Sequence, residues 1–296
     1  MSLLSLLSSL TSRPRNLLCA ALLLGHSGLT CAAWTETGET VDSRPGVKLP
    51  FVLTRAVNAD GSQIKPKKAG ETEHVVLLLT GGTGSIPPAS GGIKEQKPER
   101  VALRGYFAEK LGMVVAMGLP SDQASGLSLE WRESREHARD VSAVADVILM
   151  QYPNAKITVL GFSNGCRSAA HVSAAARKRW GSNLHRVALL SCSMDAFRDI
   201  WIEALAGTRA DAGLPKVPVL VVHHKRDNCL LFENVEPQAK WHDFITVDDP
   251  RLPRPNAATK DCGNGTAHQF GGKESQVYQA VIDWVNTGKA KDLQYE

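Results

Sequence analysis

Between Met1 and Ala33 the chain has no acidic residue, and the apolar run there, Leu17 to Leu24, falls far short of the ~20 residues that span a bilayer. Stable membrane insertion through this segment is therefore not expected. Neither a His-Glu-x-x-His nor a Cys-x-x-Cys pair occurs, so the commonest zinc signatures are missing and no metal is expected. There is no Gly-Lys-Ser/Thr loop to cradle a nucleotide phosphate. Gly82-Thr83-Gly84 starts like a dinucleotide-binding fingerprint, but Pro87 stands where the third glycine belongs. The sequence implies no cofactor. Charge is nearly balanced, with a formal net charge of +4, and Lys65, Lys67 and Lys68 make only a short cluster, which reads as a solvated face. A nucleic-acid partner has nothing to hold. Internal repeats are absent too, which excludes solenoids and propellers.

What is present begins with Arg13 and Arg15, the fixed positive side chains of the first 33 residues. They precede the apolar run, and small residues follow at Cys31 and Ala33. That order resembles a secretory signal cleaved after Ala33, although an acid-free, Ser/Arg-rich start also fits an organelle transit peptide. A lipoprotein anchor at Cys19 or Cys31 is disfavoured by the bulkier Leu18 and Thr30 before them. The reading adopted is a signal peptide over residues 1–33, one domain over 34–296, and export to a periplasmic or extracellular space. Cleavage would lower the formal net charge from +4 to +2 by removing the two arginines. Cys166, Cys192, Cys229 and Cys262 would remain, an even set that permits disulfides in an oxidising compartment without choosing partners. At 43% hydrophobic and 22% charged, the chain can bury a sizeable core.

Short apolar runs recur at His74–Thr80, Met113–Met117, Ile157–Gly161, Arg186–Ser191 and Val217–His223, with Phe244–Asp248 as a further candidate. They lack period-two alternation, as expected of strands buried on both faces of a parallel sheet. Helical patterns lie between them. In Glu136–Met150, Val141, Val144, Ile148 and Leu149 share one face, and Ser275–Thr287 does the same with Val277, Val281, Trp284 and Val285. Arg100–Leu111 and Ala196–Ala206 complete the set, and Glu39–Ala56 adds one or two edge strands. Strands alternating with helices define an α/β class with a doubly wound, mostly parallel sheet and helices on both faces. Between Cys192 and Lys216 there is no room for a large lid domain.

One stretch stands out from this regular alternation: Gly161-Phe162-Ser163-Asn164-Gly165. An apolar strand precedes it and an Ala-rich helix, Arg167 to Arg177, follows. A serine in that context is lifted above the sheet on a strained turn, and the glycines leave room for neighbouring backbone. Here the chain resembles the α/β-hydrolase family over about Glu39 to Val285. In GLPSD (118–122), REHARDV (135–141) and HHKRDNC (223–229) it is similar to small, exported bacterial hydrolases of unassigned substrate.

The resemblance implies a Ser-His-Asp hydrolase in the order nucleophile, acid, base. Ser163 is then the nucleophile. Asp227, just past the tip of the Val217–His223 strand, is the acid, and His268, before the last helix, is the base. Asp195 is the rival carboxylate, and His223 and His224 are the rival imidazoles. His137 and His171 fall in helices as packing or polar contacts, and His242 has no context. For the oxyanion hole the resemblance implies the amide of Asn164 and one from the loop after the first core strand. Gly82 is the first choice there and Thr83 the second, because Thr80-Gly81 replaces the His-Gly found in many members. A Cys229–Cys262 bridge would tie the acid loop to the base loop, with buried free thiols as the alternative, and Cys166 could pair with Cys192. The implied activity is cleavage of a small-molecule carboxylic ester, with a serine peptidase or amidase as the alternative. A non-catalytic binding protein on the same scaffold is a third reading.

Overall fold

The computed structural model describes residues 33–58, 62, 73–86, 98–193, 205, 216–237, 241–256, 260–263 and 265–296. The expected signal segment (Ala33 apart), most of the helix expected at Ala196–Ala206, the Lys65–Lys68 cluster, Pro87 and Asp195 lie outside the described residues.

Nine strands run through the described chain: β1 Ala33–Arg44, β2 Val47–Val57, β3 His74–Leu79, β4 Gly112–Met117, β5 Lys156–Phe162, β6 Leu184–Leu190, β7 Val219–His224, β8 Asp243–Asp248 and β9 Leu293–Gln294. They form one sheet in the order β1-β2-β4-β3-β5-β6-β7-β8-β9. β2 runs antiparallel to both its neighbours, and from β4 to β9 every pairing is parallel. The helices are α1 Pro98–Leu111, α2 Leu129–Arg132, α3 Arg135–Gln151, α4 Gly165–Trp180 and α5 Glu274–Thr287.

The continuous apolar runs behave as two-sided strands. In β3, Val75, Leu77 and Leu79 enter one buried cluster while Val76 and Leu78 enter the other. Side chains of α3 and α4 close the first cluster, and those of α1 and α5 close the second. Helices on both faces follow from this, because a parallel sheet exposes two apolar surfaces and each must be covered. On α3 the stripe of Val141, Val144 and Ile148 is buried against the sheet, and Ser134 caps the helix by accepting from the His137 amide at 3.0 Å.

At β3 the direction of winding reverses. From β3 the chain passes through α1 to β4 on one side, then crosses to β5 on the other. Such a reversal opens a crevice at the carboxyl ends of the strands, where ligands bind in sheets of this kind. Leu79 at the end of β3 pairs with Gly161 near the end of β5, so the loops leaving both strands meet there.

The edge departs from expectation. β1 starts at Ala33 rather than near Glu39, and pairs with β2 from Ala33↔Val57 to Arg44↔Val47. Its polar sequence, AWTETGETVDSR, gives little strand signal. Pairing with β2 carries it, together with the ion pairs of Arg44 to Asp122 at 2.9 Å and Asp140 at 2.7 Å.

Candidate active site

β5 delivers Ser163 to the crevice. Ser163 has φ +51°, a left-handed conformation that costs a side-chain-bearing residue strain and is held here by its surroundings. Its amide donates to the Leu190 carbonyl at 2.9 Å, and its own carbonyl accepts from the Cys166 amide at 2.9 Å. The flanking glycines are sterically required. A Cβ on Gly161 would lie 2.7 Å from the Gly165 carbonyl oxygen, and one on Gly165 would lie 2.0 Å from the Leu79 carbonyl oxygen.

Past the tip of β7 the chain turns, the Asp227 amide donating to the His224 carbonyl at 3.0 Å. Asp227 is fully buried, and its Oδ1 accepts from the amides of Cys229 and Leu230 at 2.8 and 3.0 Å. Its other oxygen, Oδ2, is 2.9 Å from His268 Nδ1. Burial works against the carboxylate charge. The bond to His268, the nearby His268 and His223 rings and the Leu230 amide outweigh it and hold the group below its ordinary pKa. An ionised acceptor at Oδ2 places the proton of the imidazole on Nδ1 and leaves Nε2 as an acceptor.

His268 sits in the short helical turn Ala267–Gly272 ahead of α5, nearly buried, with its ring 5.6 Å from that of Phe162. Its Nε2 lies 3.1 Å from Ser163 Oγ. Three residues separated by up to 105 positions thus form one hydrogen-bonded line, Ser163–His268–Asp227.

The rival imidazoles are placed elsewhere. His223 Nε2 donates to the Leu230 carbonyl at 2.7 Å and lies 3.5 Å from Asp227 Oδ2, so it braces the Asp227 loop. Burial pushes its pKa below the usual histidine value. His224 Nδ1 accepts from the Arg226 amide at 2.9 Å. His171 Nε2 bonds the Ser134 carbonyl at 3.0 Å, while His137 is buried on α3. None of these makes a hydrogen bond to Ser163.

The turn after β3 lies against Ser163. A Cβ on Gly81 would be 2.9 Å from Ser163 Cβ and from the Phe162 carbonyl oxygen. Gly82 has φ +56°, the Gly84 amide donates to the Gly81 carbonyl at 3.0 Å, and Asn164 Nδ2 donates to the Gly82 carbonyl at 3.4 Å. Asn164 itself adopts αR angles at the start of α4, so its amide follows directly on Ser163.

Two disulfides frame these loops. Cys166–Cys192 joins the first turn of α4 to the residues after β6, with Cα atoms 5.8 Å apart. Cys229–Cys262 joins the Asp227 loop to the chain leading to His268, with Cα atoms 4.8 Å apart.

Sequence reasoning missed Arg132. It is 1% exposed at the end of α2, and its guanidinium donates to the Thr80 and Gly82 carbonyls and to Ser168 Oγ at 3.2, 3.0 and 3.0 Å. An arginine in a four-residue helix gives no sign of burial in the sequence. A small cavity behind the turn is lined by Thr80, Gly84, Arg132, His137 and Ser168 and does not include Ser163.

The strand order, the helices on both faces and the strand–serine–helix turn define an α/β-hydrolase fold, and among the described residues no lid domain is inserted. Solved structures agree on the fold. The α/β serine hydrolase without lid XC6422 from Xanthomonas campestris is 15% identical, with 84% of this chain and 93% of that one covered at a TM-score of 0.50. Est1E from Butyrivibrio proteoclasticus is 16% identical over 84% of this chain and 97% of that one, TM-score 0.51. A fungal esterase from Rhizomucor miehei is 15% identical over 88% and 84%, TM-score 0.53. No protein-family model and no curated protein matches the sequence.

Proposed function

We propose that the protein is a serine hydrolase that cleaves small carboxylic esters through an acyl-enzyme. The observation that carries this reading is the line Ser163 Oγ–His268 Nε2 and His268 Nδ1–Asp227 Oδ2, at 3.1 and 2.9 Å. In the first half-reaction His268 Nε2 takes the hydroxyl proton as Ser163 Oγ bonds to the ester carbonyl carbon. Asp227 keeps the imidazole oriented and stabilises the imidazolium. The carbonyl π electrons move to oxygen, and the amides of Asn164 and Gly82, or Thr83 in its place, hold that oxyanion. Collapse expels the alcohol, which receives the proton from His268. Water then enters, gives its proton to the same nitrogen and releases the acid and Ser163.

Esters are favoured over amides because structural neighbours sharing this fold are described as esterases. The lack of an inserted lid domain among the described residues favours turnover of dissolved substrate, so a rate jump at a lipid–water interface would count against the reading. The test is a screen of short acyl esters, amides and peptides on the wild type beside Ser163→Ala, with fluorophosphonate labelling of the folded protein. Labelling and ester turnover in the wild type alone are expected. Absence of both would leave a binding protein on a hydrolase scaffold, and turnover confined to peptides would make it a peptidase.

We also infer export. Two disulfides need an oxidising compartment, and among the described residues no helix is long and apolar enough to cross a membrane. Amino-terminal sequencing of protein recovered outside the cytosol should begin at Trp34. Unprocessed protein confined to a reducing compartment would overturn this.

A further inference from the structure

A buried arginine ordinarily faces a carboxylate, since an uncompensated charge in the interior is costly. Among the described residues Arg132 has none within ion-pairing distance, and its Nε has no hydrogen-bond partner. Burial pushes its pKa down to about 10, which leaves it charged at neutral pH. Its terminal nitrogens donate to Ser168 Oγ on α4 at 3.0 Å and, otherwise, to one short segment of backbone.

That segment is the turn beside Ser163. Nη1 bonds the Thr80 carbonyl at 3.2 Å and Nη2 bonds the Gly82 carbonyl at 3.0 Å. Between them the Gly81 carbonyl accepts from the Gly84 amide at 3.0 Å. Three consecutive carbonyls are therefore engaged. In a planar trans peptide the N–H points opposite to the C=O that precedes it, so fixing a carbonyl aims the next residue's amide. The amides of Gly81, Gly82 and Thr83 have their directions set in this way. Two of the three orientations depend on one guanidinium, whose rigid fork can span two acceptors where a lysine ammonium presents a single point of charge.

We propose that Arg132 is the positioning residue of the oxyanion hole: its fork clamps the Thr80–Gly84 turn in the orientation that turns a backbone amide towards the oxygen of the tetrahedral intermediate. This rests on the reading of Ser163 as the nucleophile. The guanidinium aims the Thr83 amide directly, through the Gly82 carbonyl, and bears on the Gly82 amide only by fixing the turn on either side of the Gly81 carbonyl that the Gly84 amide holds.

The test compares Arg132→Gln and Arg132→Lys with wild type on the best ester, scaled to sites titrated by fluorophosphonate. A trifluoromethyl ketone, whose adduct with Ser163 carries the same oxyanion, is measured alongside. Loss of the clamp should lower kcat per titrated site by about 10²–10³-fold for Gln and less for Lys, on the scale of losing one oxyanion donor. KM should move by less than about 3-fold, and ketone affinity should fall in step with kcat/KM. A lower melting temperature with kcat per site and ketone affinity unchanged would make Arg132 a structural residue and overturn the proposal. Should both variants fail to fold, Ser168→Asp decides: a carboxylate there draws the guanidinium off the turn and should lower kcat, whereas unchanged kcat overturns the clamp. Wild type that neither turns over esters nor labels would instead sink the catalytic reading on which this rests.

Discussion

Ser163 shows how much a single residue depends on its neighbours. A serine hydroxyl is by itself a weak nucleophile, and on the proposed reading it is His268 Nε2, 3.1 Å away, that makes it a competent one. Ser163→Ala should lower kcat by roughly 10⁵–10⁶-fold with little change in melting temperature, since the triad acts as a unit. Gly165 is the opposite case, with no chemistry and no spare room. Gly165→Ala would drive a methyl to 2.0 Å from the Leu79 carbonyl oxygen, in backbone that cannot yield cheaply. The expected loss is about 3 kcal/mol, roughly 6–12 °C in melting temperature by calorimetry. Asp227 couples both concerns. Its carboxyl titrates below the ordinary 3.8 in the folded protein, so it adds stability above that pH and loses it as the pH falls through the folded value. Urea midpoints of wild type and Asp227→Asn should differ most at neutral pH and converge below about pH 4. At pH 7 the Asn variant should lose about 10⁴-fold in kcat, because an amide no longer selects the Nδ1–H tautomer.

Between elements, the covalent ties matter more than any one contact. The Asp227 loop after β7 and the His268 loop before α5 come from different parts of the chain, and Cys229–Cys262 closes a separation of 33 residues between them. On a chain-entropy account such a bridge contributes roughly 3–4 kcal/mol. Cys229→Ser with Cys262→Ser should therefore lower stability by about that much, and kcat should fall further than KM rises, because the Asp227–His268 pairing loosens. Unchanged kcat in the variant at a temperature where it stays folded would separate the bridge from the chemistry. Elements also differ in how legibly they are written. β3 to β7 show as apolar runs because both faces are buried, and α3 and α5 show as stripes because one face is. β1 is written in polar residues and is held by its hydrogen-bonded partner, which no local pattern expresses.

Acid is the condition under which the whole molecule should come apart. Burial pushes His137 down to about 3, and His185, His224 and His242 down to about 4. All four are neutral in the fold well below the ordinary 6.5. Below pH 6.5 the unfolded chain takes up protons that the folded chain refuses, so stability is complete above that pH and is lost as it falls towards 4. A fully buried histidine contributes up to about 1.4 kcal/mol per pH unit over that range, and the partly exposed ones contribute less. Melting temperature should fall steadily from pH 7 to pH 4.5, and His137→Leu should flatten the slope. A profile level across that interval would contradict the buried, neutral histidines.

Taken alone, the sequence specified what depends on local pattern: the alternation of buried strands and amphipathic helices, the class of fold, and a serine between two glycines at a strand–helix junction. Asp227 and His268 were pointed to by the resemblance to the α/β-hydrolases, through its chain order of nucleophile, acid and base, and not by any local pattern of their own. Hydrogen bonds between groups 41 and 105 positions apart were settled only in three dimensions, as were the pairing of the cysteines and the turning of Arg132 inward onto backbone carbonyls. The physical reason is the same in each case. Periodicity reports which face of an element is dry, whereas distance and direction between elements exist only once the sheet has twisted and its loops have closed.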